Sequence, residues 1–140
     1  MTIRLLLLAL LAPAAVAAAE DYGPYRVSVV RVVDGDTIEV DVRLWPGLSA
    51  RTSLRLAGVN TPERRGPECE VLAGAAAMRF TEAWLAGARG LTVSDVRPDK
   101  YGGRMLGRLR RADGADLARA LLVAGHARLY YGQKRTAWCL

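Results

Sequence analysis

The sequence predicts an α+β fold: a partly open five-stranded β-barrel with two α-helices packed against it. Three observations point there. Thr37 to Trp45 alternates, with Ile38, Val40, Val42 and Leu44 on one face and Thr37, Glu39, Asp41 and Arg43 on the other, which is the period of a half-buried strand. Leu72, Ala76, Phe80 and Trp84 recur every four residues, the spacing of an amphipathic helix with one core face. The element order is three strands, a helix, two strands and a second helix, punctuated by short turn signals.

Taken in order, Tyr25 to Val33 is rich in β-branched residues and reads as the first strand. Asp34-Gly35-Asp36 turns the chain tightly into the alternating Thr37–Trp45 strand. Trp45-Pro46-Gly47 turns it back, and Ala50 to Val59 returns as the third strand of a meander. The spacing predicts a helix over Cys69–Ala88, with Ala75, Ala83 and Gly87 beside its core face and Gly90 as its C-terminal cap. Leu91 to Arg97 and Arg104 to Arg111 read as the fourth and fifth strands. After the Asp113-Gly114 turn, Asp116 caps a short helix through Ala124, with Leu117, Leu121 and Leu122 inward and Gly125 ending it. Ala127 to Tyr131 runs briefly extended, and the tail to Leu140 is basic and polar until Trp138. No repeat, low-complexity tract or linker divides residues 20–140, which read as one domain. The oligonucleotide-binding (OB) barrel is one fold with this order of elements.

Residues 1–19 stand apart from that domain. Met1 to Arg4 is a short basic start, Leu5 to Leu11 is leucine except for Ala9, and Ala14 to Ala19 is a run of small residues. That is the layout of a cleaved secretory signal, with cleavage after Ala17 or after Ala19 fitting equally. The alternative is a membrane anchor, but the apolar run is shorter than the roughly 20 residues that span a bilayer. No cysteine follows the cleavage site, so a lipid anchor is not indicated. The expectation is an exported domain, periplasmic or extracellular, with no membrane association after cleavage.

The chain has 140 residues, 20 of them Lys or Arg against 14 Asp or Glu, for a net charge of +6; loss of Arg4 alone takes this to +5. A basic exported domain is biased toward polyanions, although the same charge also serves solubility. Of the two cysteines, Cys69 and Cys139, export favours a disulfide; free thiols or a metal pair are the alternatives. Neither lies near His126, the one histidine, so a zinc site is not expected and His126 reads as structural or exposed.

The chemistry gathers at two strand ends. Asp34 and Asp36 flank a glycine, which by itself means a turn. Thr61-Pro62-Glu63 by itself resembles a helix start. In a meander, however, the Asp34–Thr37 turn and the Asn60–Glu63 loop leave the first and third strands at the same end. Asp36, the Asn60 side-chain oxygen and a backbone carbonyl, that of Thr61, then suit a calcium-like cation with several waters. Glu63 stays free to take a proton from water. Arg55, on the third strand, can reach the same cleft and hold two phosphate oxygens.

Val33-Asp34-Gly35-Asp36-Thr37, Arg55-Leu56-Ala57-Gly58-Val59-Asn60-Thr61-Pro62-Glu63 and Asp99-Lys100-Tyr101-Gly102-Gly103-Arg104 stand in the order and spacing of the thermonuclease, or staphylococcal nuclease-like, family. The chain resembles that family from about Tyr25 to Tyr131. The resemblance implies an OB-fold barrel and calcium-dependent hydrolysis of DNA and RNA with little sequence specificity, by a monomer that prefers single strands, leaving 3′-phosphates. It makes Asp36, Asn60 and the Thr61 carbonyl the metal ligands, with Asp34 beside them. Glu63 matches the family's proposed general base, and Arg55 and Arg104 its two phosphate-binding arginines. Lys100 and Tyr101 fall where the family contacts a terminal phosphate, and Tyr131 aligns with a tyrosine near the bound nucleotide.

Two departures bear on that reading. Asn60 replaces the aspartate of the best-known members, and removing one negative charge weakens divalent-cation binding. Gly103 is an extra residue before Arg104, which remains the match, with Arg97 and Arg108 as fallbacks. The tail after Tyr131 is also shorter than the family's long C-terminal helix. Arg104, Arg108 and Arg110 share one strand face that either tracks a phosphate backbone or is solvated exterior. Trp45, Trp84 and Trp138 read as packing residues rather than base-stacking platforms. The competing readings are a non-catalytic OB-fold module that binds nucleic acid or another polyanion, and a structural domain of the cell envelope.

Overall fold

The computed structural model of the chain describes residues 22–139, so the expected leader at residues 1–19 lies outside the described residues. In chain order the elements are β1 (Tyr25–Asp34), β2 (Thr37–Trp45), β3 (Leu48–Leu56), β4 (Val59–Asn60), α1 (Glu68–Leu85), β5 (Thr92–Pro98), β6 (Arg104–Arg110), α2 (Leu117–Val123) and β7 (Arg128–Leu129). Five strands close into a barrel in the order β1-β2-β3-β6-β5, with β5 returning to pair Val93 with Tyr25 of β1. All these pairings are antiparallel except β3 with β6, which runs parallel. The barrel interior is apolar: Ile38, Val40, Leu54, Leu56, Val93 and Leu109 are almost wholly buried, and Leu117 and Leu121 of α2 close one side. Among the described residues no helix is long and apolar enough to cross a membrane.

The expected third strand, Ala50–Val59, breaks in two. Gly58 takes a left-handed backbone (φ 80°), a conformation that costs glycine little, so β3 ends at Leu56. Val59 and Asn60 leave the barrel and pair with Leu129 and Arg128 of β7. This small ladder ties the C-terminal segment to the loop that carries Asn60.

The first helix also differs from its expected form. It spans Glu68–Leu85 rather than Cys69–Ala88, and the glycine directly after its Ala86 C-cap is Gly87 (φ 70°); Gly90, also left-handed (φ 63°), comes three residues later. Its most buried residues are Gly74, Ala77 and Thr81, whereas Leu72 is 62% exposed. Small residues win that face because α1 lies directly on the backbone of the site loops. The Thr81 hydroxyl donates to the Gly35 carbonyl at 2.7 Å, and a Cβ on Gly35 would meet the Ala77 Cβ at 2.8 Å. Phe80, Trp84 and Leu85 pack at the margin of the core. The second helix follows its expected caps: Asp116 accepts the Arg119 backbone N–H at 3.2 Å, and Gly125 follows in the left-handed region.

Candidate active site

The β1–β2 turn and the end of β3 meet at one end of the barrel, where the Leu56 N–H donates to the Asp36 carbonyl at 2.8 Å. That bond aims the Asp36 side chain along the barrel mouth, toward Arg55. Asp36 Oδ1 lies 2.7 Å from Arg55 Nη1 and accepts the Thr37 hydroxyl at 3.0 Å, while Oδ2 accepts the Thr61 backbone N–H at 2.9 Å. Arg55 Nη2 donates to Asn60 Oδ1 at 3.3 Å and to the Val59 carbonyl at 3.4 Å. All three side chains belong to buried residues. Oxygens of Asp36 and Asn60 thus converge on one positive charge. Asp34 stands beside them, accepting the Asp36 N–H at 3.2 Å; burial, and then the Asp36 charge, push its carboxyl up to about 6.

A cleft of about 260 Å³ opens next to this cluster. Its walls include Arg55, Arg97, Lys100, Tyr101, Arg104, Tyr131 and Arg135, and Asp99 is the carboxylate among them. Arg104 holds Asp99 Oδ2 through Nε at 2.6 Å and Nη2 at 2.5 Å. The Tyr101 ring lies 5.5 Å from the Arg104 guanidinium and 5.1 Å from Lys100 Nζ. Gly103 is left-handed (φ 79°) in an open turn, with nothing within 4 Å of a Cβ built on it, so it accommodates the extra residue. Arg104 consequently faces the same cleft as Arg55. Arg97 shares that cleft, whereas Arg108 turns away to Asp116 at 3.1 Å, as does Arg110 at 3.6 Å. Those two arginines behave as paired exterior charge.

Glu63 sits at the rim rather than in the cluster. Its backbone N–H donates to Glu70 Oε1 at 3.3 Å, and its carboxylate holds Arg135 Nη1. Arg135 and Tyr130 were not singled out by the sequence. Both the Arg55 and the Arg135 guanidinium lie over the Tyr130 ring, 5.9 and 5.5 Å from its centre. The tail that carries Arg135 is fastened by the Cys69–Cys139 disulfide and by Arg128, which bonds Thr136 Oγ1 at 3.0 Å and lies 4.0 Å from the Trp138 ring centre. One arithmetic signal was available: Cys69 follows Glu63 by six residues and Cys139 follows Arg135 by four, so a disulfide brings the two near each other. His126 packs against Phe80 with ring centres 5.0 Å apart, and Trp84 lies under Arg111, both structural positions.

A closed OB-type barrel, with a cleft of arginines and tyrosines at its strand ends, defines the class. The model of the staphylococcal nuclease homologue family matches residues 53–138, and the chain belongs to that family. The match takes in every expected site residue except Asp34, Asp36 and the disulfide partner Cys139. The chain is also 34% identical over 102 residues to an uncharacterized endonuclease of Escherichia coli O157:H7, a similarity covering 73% of this chain and 59% of that protein.

Proposed function

We propose that the chain is an exported, calcium-dependent nuclease that hydrolyses phosphodiester bonds of DNA and RNA and leaves 3′-phosphates. The observation that carries this reading is the convergence of Asp36 and Asn60 oxygens on Arg55, with Arg104 facing the same cleft, in a chain of this family.

The donors suit a hard cation. Asp36 offers a carboxylate, Asn60 an amide oxygen and Thr61 a carbonyl, with the acid of Asp34 adjacent. Among the described residues no three His, Cys, Asp or Glu side chains are grouped to hold a metal, so much of such an ion's shell would be water. A calcium ion held there would supply positive charge beside the phosphate under attack.

The chain's own groups supply the rest. Arg55 and Arg104 bind the non-bridging phosphate oxygens and stabilise the charge that builds on them. Glu63 accepts a proton as a water oxygen attacks phosphorus. The bond from phosphorus to the 5′ oxygen breaks, and that oxygen takes a proton from solvent. Tyr101 and Tyr131, 59% and 79% exposed, offer ring faces on which unstacked bases of a single strand can lie, and Lys100 can meet a terminal phosphate. The disulfide accords with an oxidising compartment, whether periplasmic or extracellular.

The test is turnover of single-stranded DNA and RNA by the purified chain with calcium and with chelator. Activity is expected with calcium alone, and Glu63→Gln is expected to lower kcat by about 10²- to 10⁴-fold. Salt-sensitive binding without turnover under any divalent ion would instead support a non-catalytic nucleic-acid-binding barrel, the reading favoured by the neutral Asn60.

A further inference from the structure

Three arginines of one cleft each hold a carboxylate. Arg55 holds Asp36, Arg104 holds Asp99, and Arg135 holds Glu63. The first two belong to the motifs already described. Arg135 belongs to none of them, yet it faces the same cleft.

Its placement is built rather than incidental. On one side of it, the Gln133 side chain accepts the Tyr131 N–H at 2.6 Å and donates to the Leu129 carbonyl at 3.0 Å. On the other, Arg128 bonds Thr136 and the Ala137 carbonyl, and Cys139 is tied to Cys69. Between these anchors the guanidinium lies over the Tyr130 ring, 5.5 Å from its centre and within cation–π range. The pair with Glu63 is itself weak and exchangeable, because the two side chains are 44% and 50% exposed.

Resting on the nuclease reading above, we propose that Arg135 is a third phosphate-binding residue of the cleft, and that a substrate phosphate draws it off Glu63. A guanidinium presents the same planar fork to a phosphate as to a carboxylate. A nucleic-acid phosphate entering between Arg55, Arg104 and Arg135 therefore competes directly with the Glu63 carboxylate. As Arg135 moves to the phosphate, the Glu63 oxygen that held it becomes available to a water proton. The proton acceptor is covered in the free protein and uncovered when a phosphate is present.

The experiment is a double-mutant cycle on binding, read by fluorescence anisotropy of a labelled single-stranded oligodeoxynucleotide in chelator across a salt series. Arg135→Ala is expected to weaken binding about tenfold, the loss of one charge-assisted contact. It should also reduce the log–log salt slope by about 0.7. Glu63→Gln should tighten binding in the parent protein, and most of that gain should vanish in the Arg135→Ala background. Arg135→Lys should restore the salt slope and only part of the affinity, which separates a contact from a fold defect. With calcium, Arg135→Ala should raise KM about tenfold while kcat changes less than about threefold.

Binding by Arg135→Ala within twofold of the parent, or a Glu63→Gln effect equal in both backgrounds, would overturn the proposal and leave the nuclease reading standing. A loss confined to kcat would overturn it too, since Arg135 would then only position Glu63. If the parent chain binds no oligonucleotide at any salt concentration, the nuclease reading falls together with the proposal.

Discussion

Arg55 Nη1 lies 2.7 Å from Asp36 Oδ1, and the two side chains are 8% and 5% exposed, so each is the other's counter-charge in a site shielded from water. Taking one partner from a buried pair strands the other charge and costs about 3–5 kcal/mol. Arg55→Met is therefore expected to lower the urea unfolding free energy by about that amount in chelator. Calcium should restore more stability to Arg55→Met than to the parent, because no guanidinium then competes for Asp36 and Asn60. Urea titrations of both proteins with and without calcium decide it. An equal calcium effect in the two would mean that ion and arginine do not share those oxygens.

Asn60 is the neutral member of the oxygen pair facing Arg55. Asn60→Asp adds a negative charge at an unchanged shape and should tighten calcium binding, on the order of tenfold, since ligand charge count tunes affinity. The half-saturating calcium concentration for DNA hydrolysis measures this directly. A lower calcium requirement is the expected result, and an unchanged one would remove Asn60 from the ligand set.

The barrel was legible because its signals are local. Period-two alternation marks β2, and Asp34-Gly35, Pro46-Gly47 and Asp113-Gly114 mark turns through residues that favour turn backbones. Asp36, Arg55 and Asn60 meet because the first turn and the end of the meander share one end of the barrel, which strand counting alone implies. The core face of α1 departs from the four-residue spacing because its burial is decided by how closely α1 approaches two loops. Close approach selects Gly74, Ala77 and Thr81 over the larger Leu72. Arg135 was invisible to periodicity. It sits in an irregular tail whose path is set by the disulfide and by Arg128 against Trp138, contacts that no pattern within the tail encodes.

The disulfide closes a separation of 70 residues between the start of α1 and the tail. Loop-closure entropy puts its contribution at up to about 4 kcal/mol. Cys139→Ser is expected to lower the thermal midpoint, and reductant should bring the parent down to the same midpoint while leaving Cys139→Ser unmoved. Differential scanning calorimetry with and without dithiothreitol tests this. A parent protein indifferent to full reduction would show that the tail is held by its other contacts alone.

Gly74 is where the helix and the loop that carries Glu63 touch most closely. A Cβ built there would lie 2.5 Å from the Glu63 carbonyl oxygen, 2.8 Å from its carbonyl carbon and 2.9 Å from the Pro62 oxygen. All three are backbone atoms, so no side-chain rotation relieves the clash, and either α1 or the loop must shift. The helix is pinned on the β1–β2 turn by the Thr81–Gly35 bond and at its start by Cys69. The loop lacks the regular backbone bonding of the helix and is held by single side-chain bonds, among them Glu63 N–H to Glu70 at 3.3 Å and Arg64 to the Val33 carbonyl at 2.6 Å, so the loop gives way and carries Glu63 with it. Gly74→Ala should cost about 1–3 kcal/mol, as overpacking does. Its larger effect should fall on kcat, about tenfold or more, because the proposed role of Glu63 as proton acceptor makes rate sensitive to displacements of about 1 Å. The measurement is kcat per folded molecule, taken well below the unfolding midpoint of each protein. A destabilised variant with full kcat would mean that the helix supports the loop without setting where Glu63 stands.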